Sequence, residues 1–225
     1  MQTEPLLNNN NGNMARRSFL RYAGAGVAGV SLLGAASSCH KNHDVVANTA
    51  TDVGTGDFAA LNYLYVLEQI EAAFYKQVIA TPYSGITASE LSFLTDIRDH
   101  EVAHAEYYQA VLGVSALNVT VDLSTINFTT RATVLAAAKS FEDLGVSAYS
   151  GVGLNIVLPQ YMVLITTIAS VEARHAALID ILLGDDFVGS DQVDSNGLNI
   201  SAVPSALLPT INKYLKTKIS ATVLS

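Results

Sequence analysis

Two copies of a Glu-x-x-His motif are the residues of this chain best suited to chemistry. The first copy is Glu101 with His104, and the second, about seventy residues later, is Glu172 with His175. Residues three apart on a helix lie on one face, roughly one turn apart, so each copy presents a carboxylate and an imidazole together. Both are ligand types that iron(II) and manganese(II) accept.

A further glutamate precedes each copy, and a tyrosine follows each of these glutamates at the same distance. Glu68 is followed seven residues later by Tyr75, and Glu142 is followed seven residues later by Tyr149. The two halves therefore supply four carboxylates and two imidazoles. We expect two iron or two manganese ions to be held and bridged by this set, namely Glu68, Glu101, His104, Glu142, Glu172 and His175.

Several nearby residues keep more than one interpretation. Glu71 lies on nearly the same helical face as Glu68 and could support or replace it as a ligand. Tyr75 and Tyr149 are candidate catalytic residues. They could donate hydrogen bonds to ligand carboxylates, act in redox chemistry beside the metals, or be core aromatic residues. His100 lies on another helical face, as a surface residue or an outer partner of the site.

Apolar residues recur at helical spacing in four long segments, which would have to position these side chains. The helices are expected at about residues 57–80, 87–112, 130–149 and 159–183. Asp57 is a plausible N-cap of the first helix, and Thr87 with Glu90 forms a capping-box pattern before the second. Pro159 suits the first turn of the fourth helix, and Gly184 suits its C-cap.

The remaining segments are predicted to connect or cover these helices. Residues 114–128 alternate polar and β-branched side chains and would form a long crossover between the second and third helices. In the tail, residues 185–225, a short last helix is expected from Ser205 to Lys216. Asp194–Gly197 is interpreted as a turn, because the other ligands of a calcium loop are not at the required spacing.

The order of these ligands and the segments around them resemble the ferritin-like superfamily. Residues 61–75 (LNYLYVLEQIEAAFY), 141–149 (FEDLGVSAY) and 171–176 (VEARHA) are similar to the bacterial desiccation-related ferritin-like family. The resemblance covers roughly residues 57–184. It implies an all-α, four-helix bundle with a di-iron or dimanganese centre, and it carries fold and site better than reaction.

Residues 1–38 are expected to be an export signal. Arg16 and Arg17 precede an apolar run rich in glycine and alanine, from Tyr22 to Ala36, which resembles a twin-arginine signal. An uncleaved membrane anchor is the alternative, but the four glycines in this run would make a poor spanning helix. The protein is therefore expected in the periplasm or cell envelope.

Cys39 follows small residues and resembles a lipoprotein processing site, with ordinary cleavage nearby as the alternative. Residues 39–56 would be a linker in which His40 and His43 are exposed. As the only cysteine, Cys39 leaves neither an internal disulfide nor a cysteine-based zinc site available to this chain.

The chain is acidic, with a formal net charge of −8. Removing residues 1–38 would take away three arginines and one glutamate and bring this charge to −10. Such a surface argues against nucleic acid or anionic lipid as a partner. The expected partners are metal ions and small oxidants, with membrane contact only through a lipid anchor on Cys39. A homodimer is compatible with the sequence.

Two functions fit these observations. The first is an exported dimetal oxidoreductase that handles peroxide, dioxygen or Fe(II) oxidation, with ferroxidase, peroxidase and catalase-like activities all open. The second is a non-enzymatic envelope protein in desiccation or oxidative stress, with a structural metal or none.

Overall fold

Four long helices make up most of the part of the chain that the computed structural model describes, residues 50–224. Helix α1 packs mainly against α2, and α3 packs mainly against α4, so the bundle consists of two helical hairpins. This confirms the predicted all-α bundle. The helices are α1 (Gly56–Ala80), α2 (Ala88–Leu112), α3 (Arg131–Val152) and α4 (Pro159–Leu183), followed in the tail by a short α5 (Pro204–Ile211).

The helix ends follow local sequence signals closely. Thr87 caps α2 in a capping box, in which its side chain accepts from the Glu90 backbone N–H and Glu90 reaches back to Thr87. Pro159 occupies the first turn of α4, and Gly184 ends it with φ 88°, a left-handed conformation that favours glycine. Helix α3 continues to Val152, three residues beyond its predicted end.

The prediction that Asp57 caps α1 was wrong. The N-cap of α1 is Thr55, and Asp57 lies within the first turn. The Asp57 carboxylate instead accepts hydrogen bonds from the backbone N–H groups of Val157 and Leu158, at 2.8 and 2.9 Å. These groups lie just before α4, so Asp57 satisfies the start of a different helix.

The crossover between α2 and α3 is held on α1 by two side-chain amides. Asn62 donates to the Ser115 carbonyl and accepts from the Leu117 N–H. Gln69, two turns further along α1, donates to the Leu117 carbonyl and accepts from the Val119 N–H. Because these amides satisfy backbone groups that have no helical partner, the crossover can cover α1 without forming regular structure.

The tail closes back on the start of the domain through a very short parallel pair of strands, which no pattern in the sequence predicts. Strand β1 (Thr51–Asp52) pairs with β2 (Ile219–Ser220), with Thr51 opposite Ile219. The last helix was predicted to reach Lys216, but α5 ends at Ile211 and a 3-10 turn follows. The Asn212 side chain bonds both backbone groups of Ile219 and thereby directs the chain into β2.

The core lies between the helices, and α1 contributes most to it. Nearly every residue of α1 from Ala59 to Ile70 is buried, because the helix is covered by its neighbours on one side and by the crossover on the other. Among the described residues, only α4 is long and apolar enough to cross a membrane. It carries Glu172 and His175 on its buried side, as a bundle helix does.

Candidate metal centre

The six predicted ligands converge in the middle of the bundle. They form two groups, and within each group one ligand atom from every residue lies within 4.8 Å of the others. One group contains Glu68, Glu101, His104 and Glu172, and the other contains Glu101, Glu142, Glu172 and His175. Their role as ligands remains a prediction, but the fold brings all six to one place.

Glu101 and Glu172 belong to both groups. They are the glutamates of the two Glu-x-x-His motifs, and they come from α2 and α4. The remaining pairs are separate, since Glu68 belongs with His104, whereas Glu142 belongs with His175. Two shared carboxylates with one glutamate and one histidine at either side make an arrangement suited to two cations close together.

Both histidines turn the same ring nitrogen towards the carboxylates. His104 Nδ1 lies 3.1 Å from Glu172 Oε1 and 3.3 Å from Glu68 Oε2. His175 Nδ1 lies 2.8 Å from Glu101 Oε1 and 3.6 Å from Glu142 Oε2. Neither Nδ1 atom forms a hydrogen bond, although both lie close to carboxylate oxygens. The polar atoms are directed at common space rather than at one another.

The buried polar atoms of this cluster fit a pair of bound cations. Glu68, Glu101, Glu142 and Glu172 are fully buried, at 0% exposure. Each has at least one carboxylate oxygen without a hydrogen-bond partner, and Glu101 and Glu172 have two. Removing an unpaired carboxylate from water costs several kcal/mol. Cations held among these oxygens would compensate for that cost, and imidazole nitrogens complete a donor set suited to iron or manganese.

The two tyrosines connect the halves of the bundle reciprocally. The Tyr75 hydroxyl on α1 donates a hydrogen bond to Glu142 Oε1 on α3. The Tyr149 hydroxyl on α3 donates to Glu68 Oε1 on α1. Each tyrosine therefore serves the glutamate of the opposite half, leaving the other oxygen of that carboxylate free for a ligand. A catalytic role for Tyr75 and Tyr149 stays a prediction.

Burial and mutual repulsion control the protonation of the carboxylates. Burial raises the pKa of Glu68 to about 7, although the adjacent His104 opposes the shift. Burial and the neighbouring carboxylates raise the pKa of Glu172 well above its usual range. Burial also acts on Glu101, but the two adjacent imidazoles outweigh it and lower the pKa of Glu101 to about 2.

The histidines respond in the opposite sense to the same charges. Burial lowers the pKa of His175, but Glu101 and Glu142 outweigh it and raise that pKa to about 11. Burial likewise opposes the shift at His104, where Glu68, Glu101 and Glu172 raise the pKa. In the absence of metal, the cluster therefore holds protons on its imidazoles, which any metal ion must displace.

His100 is an outer partner of the site. Its Nδ1 lies 2.9 Å from Nε2 of His175, the ring nitrogen that faces away from the carboxylates, and the two rings are nearly parallel. His100 is itself exposed, so the imidazole pair leads from the cluster to the surface. The His100 to His175 contact depends on how α2 packs against α4, and spacing along one helix could not reveal it.

Glu71 also lies at the cluster, at 1% exposure, and neither of its oxygens has a hydrogen-bond partner. The structure thus brings it beside Glu68 without removing Glu68 from the ligand set. By contrast, Asp194 forms a turn, in which its side chain accepts from the Asn196 and Leu198 N–H groups. Cys39, His40 and His43 lie outside the described residues.

The comparison with protein families agrees with this geometry. A family model described as a ferritin-like domain matches residues 56–185, which span all four long helices and every predicted ligand. No curated protein matches the chain.

Proposed function

Because this chain belongs to the ferritin-like domain family, we propose that it holds two iron or two manganese ions and handles peroxide, dioxygen or Fe(II) oxidation in stress defence. The observation that carries the proposal is the overlap of the two ligand groups at Glu101 and Glu172. A single ion would need only one group. Two groups that share their central carboxylates favour a pair.

Each residue of the cluster has a role in this proposal. Glu68 and His104 would hold one ion, while Glu142 and His175 would hold the other. The shared pair from α2 and α4 would contact both. When bound, two such ions supply changes of oxidation state and open positions for small oxygen species.

The chain itself provides orientation and exclusion of water. The Tyr75 hydroxyl fixes one oxygen of Glu142, and the Tyr149 hydroxyl fixes one oxygen of Glu68, so both carboxylates are oriented before metal arrives. His100 orients the His175 ring from outside. The buried helical core around the cluster keeps bulk water away, which strengthens the electrostatic interactions inside.

We also propose that the protein acts in the cell envelope. Support comes from Arg16 and Arg17 before an apolar run, and from Cys39 at a lipoprotein-like processing site. Fractionation of cells expressing the wild-type chain and an Arg16→Lys, Arg17→Lys variant would test this. Export of the wild type and retention of the variant inside the cell are expected. Equal export of both would exclude the twin-arginine route.

Elemental analysis of the purified protein tests the dimetal centre directly. We expect close to two iron or manganese ions per chain from cells supplied with both metals. Peroxide should then change the absorption spectrum of the loaded protein. The matched control is the Glu101→Ala, Glu172→Ala variant, which should give no such change. Zinc alone, or no metal even after Fe(II) is added, would favour the non-enzymatic envelope protein instead.

A further inference from the structure

The two halves of the site match at every ligand but differ three residues further along the chain. Glu71 follows Glu68 by three residues on α1, and Gly145 follows Glu142 by three residues on α3. One half therefore adds a fifth carboxylate at this position, whereas the other half adds no side chain. The two ligand groups described above do not include Glu71.

Glu71 is a buried carboxylate with no hydrogen-bond partner and no contacting histidine among the described residues. Outside the cluster, the buried carboxylates of the described residues all have partners. Asp57 accepts from two backbone N–H groups, Glu90 lies 2.5 Å from Arg131, and Asp180 lies 2.7 Å from Lys139. Glu71 has neither a cation nor a hydrogen-bond donor on either oxygen. Burial of the charged form is costly unless a proton or a bound cation compensates for it.

Gly145 leaves the space that Glu71 occupies. A Cβ atom at position 145 would lie 3.1 Å from Glu71 Oε1 and 3.3 Å from Glu172 Oε2. The Glu71 carboxylate thus lies beside one oxygen of Glu172, and the other oxygen of Glu172 contacts His104 at 3.1 Å. Glu71 is therefore placed next to a shared carboxylate, at the centre of the cluster.

The negative charge of the Glu71 carboxylate would affect how metal ions bind beside it. Four ionised carboxylates would balance two divalent ions, and the imidazoles are neutral when they bind metal. A fifth ionised carboxylate adds one negative charge among buried side chains. That charge is favourable only in direct contact with a cation.

We propose that Glu71 is a seventh ligand of the metal centre and that it makes the two metal positions unequal in affinity. The proposal rests on the dimetal function proposed above. Gly145 opens the position, and Glu71 fills it from the opposite helix. The unpaired oxygens of Glu71 then take a metal ion as their partner.

Titration of the metal-free protein with Mn(II) tests this without any assay of activity. Unbound Mn(II), counted by its electron paramagnetic resonance signal, gives the number of ions bound and their affinities. Wild type is expected to bind two ions. Glu71→Gln keeps the shape of the side chain and removes its charge, so one ion should bind at least about tenfold more weakly. The second ion should bind as in wild type.

Two further variants complete the experiment. Glu106→Gln makes the same chemical change at an exposed glutamate of α2 and should leave both affinities unchanged. Glu71→Ala removes the carboxylate without placing a new group against Glu172 and should also weaken one ion. It tests the role of Glu71 if Glu71→Gln does not fold.

The affinities of Glu71→Gln test the role of Glu71, and the number of ions bound by the wild type tests the dimetal centre as well. Two ions with wild-type affinities in Glu71→Gln would show that Glu71 is a neutral buried acid, and would overturn its role as a ligand while the dimetal centre stands. Fewer than two ions in the wild type would overturn both proposals.

Discussion

The hairpin of α1 with α2 and the hairpin of α3 with α4 present the same candidate ligands in the same order, yet their surroundings differ. Glu68 corresponds to Glu142, and Tyr75 corresponds to Tyr149, each at a separation of seven residues. Around this matched frame, α1 is buried on nearly all sides, whereas α4 keeps an exposed face. The repetition gives two overlapping groups of candidate ligands, and the surroundings of the two groups differ.

The differences occur next to the matched residues. Glu71 in the first half stands where Gly145 stands in the second, and His100 precedes Glu101 where Val171 precedes Glu172. His100 contacts His175, so a residue of the first half lies against a candidate ligand of the second. Two halves with matching candidate ligands can thus differ in the residues next to those ligands, while the candidate ligands themselves stay the same.

Removing the two glutamates that belong to both ligand groups should have the largest effect on metal binding. The Glu101→Ala, Glu172→Ala variant deletes both carboxylates that belong to the two groups, and we expect it to abolish dimetal binding. The helical fold should remain, because the apolar side chains that hold the four helices together are unchanged in this variant. Elemental analysis and circular dichroism would check both parts. Full metal content in this variant would contradict the assignment of these residues as metal ligands.

Removing a glutamate that belongs to only one ligand group should affect only one metal position. Glu68→Ala and Glu142→Ala each delete one glutamate that belongs to a single group. Each variant is expected to bind one ion per chain in place of two, as measured by Mn(II) titration. Loss of both ions from either variant would show that the positions cannot be filled independently.

Acidification should weaken metal binding in both halves. In the metal-free protein the neighbouring carboxylates raise the pKa of His104 and raise that of His175 to about 11, so both imidazoles hold protons at neutral pH. Metal must displace these protons, and affinity therefore rises with pH. At least two protons should be released as both positions fill, because the raised pKa values of Glu68 and Glu172 leave protons on carboxyl groups as well, and calorimetry in buffers of different ionisation enthalpy can count them. A pH-independent affinity would contradict this electrostatic account.

Substituting the reciprocal tyrosines should give two losses of similar size. Tyr75→Phe and Tyr149→Phe each remove one hydrogen bond to a buried carboxylate, worth about 1.5–3 kcal/mol when the acceptor is charged. Denaturant unfolding of the metal-loaded protein would measure the change in the free energy of unfolding. Tyr63→Phe is the matched control, since the Tyr63 hydroxyl is buried without a hydrogen-bond partner. Clearly unequal losses would mean that the tyrosines differ in role.

The smallest effect is expected at His100. His100→Leu removes the partner of His175 Nε2 and should weaken one metal ion by less than about tenfold, because water can reach this exposed position. His100→Gln supplies a side-chain oxygen that can accept from His175 and should restore most of the loss. Equal affinities in both variants would show that His100 has no positioning role.

The residues and spacings of the chain were enough to identify the helices and the candidate ligands. Apolar periodicity predicted the four long helices, and the Thr87 capping box and Gly184 marked helix ends that the structure confirms. The ligand set followed from the repeated Glu-x-x-His motif, because side chains three residues apart share a helical face whatever the helix packs against. Helical periodicity, helix caps and the spacing within a motif depend on residues close together in the chain, and they can therefore be predicted from the sequence.

Only the tertiary structure decided how the halves meet. Asp57 looked like the cap of its own helix, but it binds backbone groups a hundred residues away in the chain. The exchange of tyrosines between the halves, the contact of His100 with His175, and the space that Gly145 leaves for Glu71 all depend on the rotation and packing of helices against one another. The sequence determined which chemical groups face the core, and packing determined their partners there.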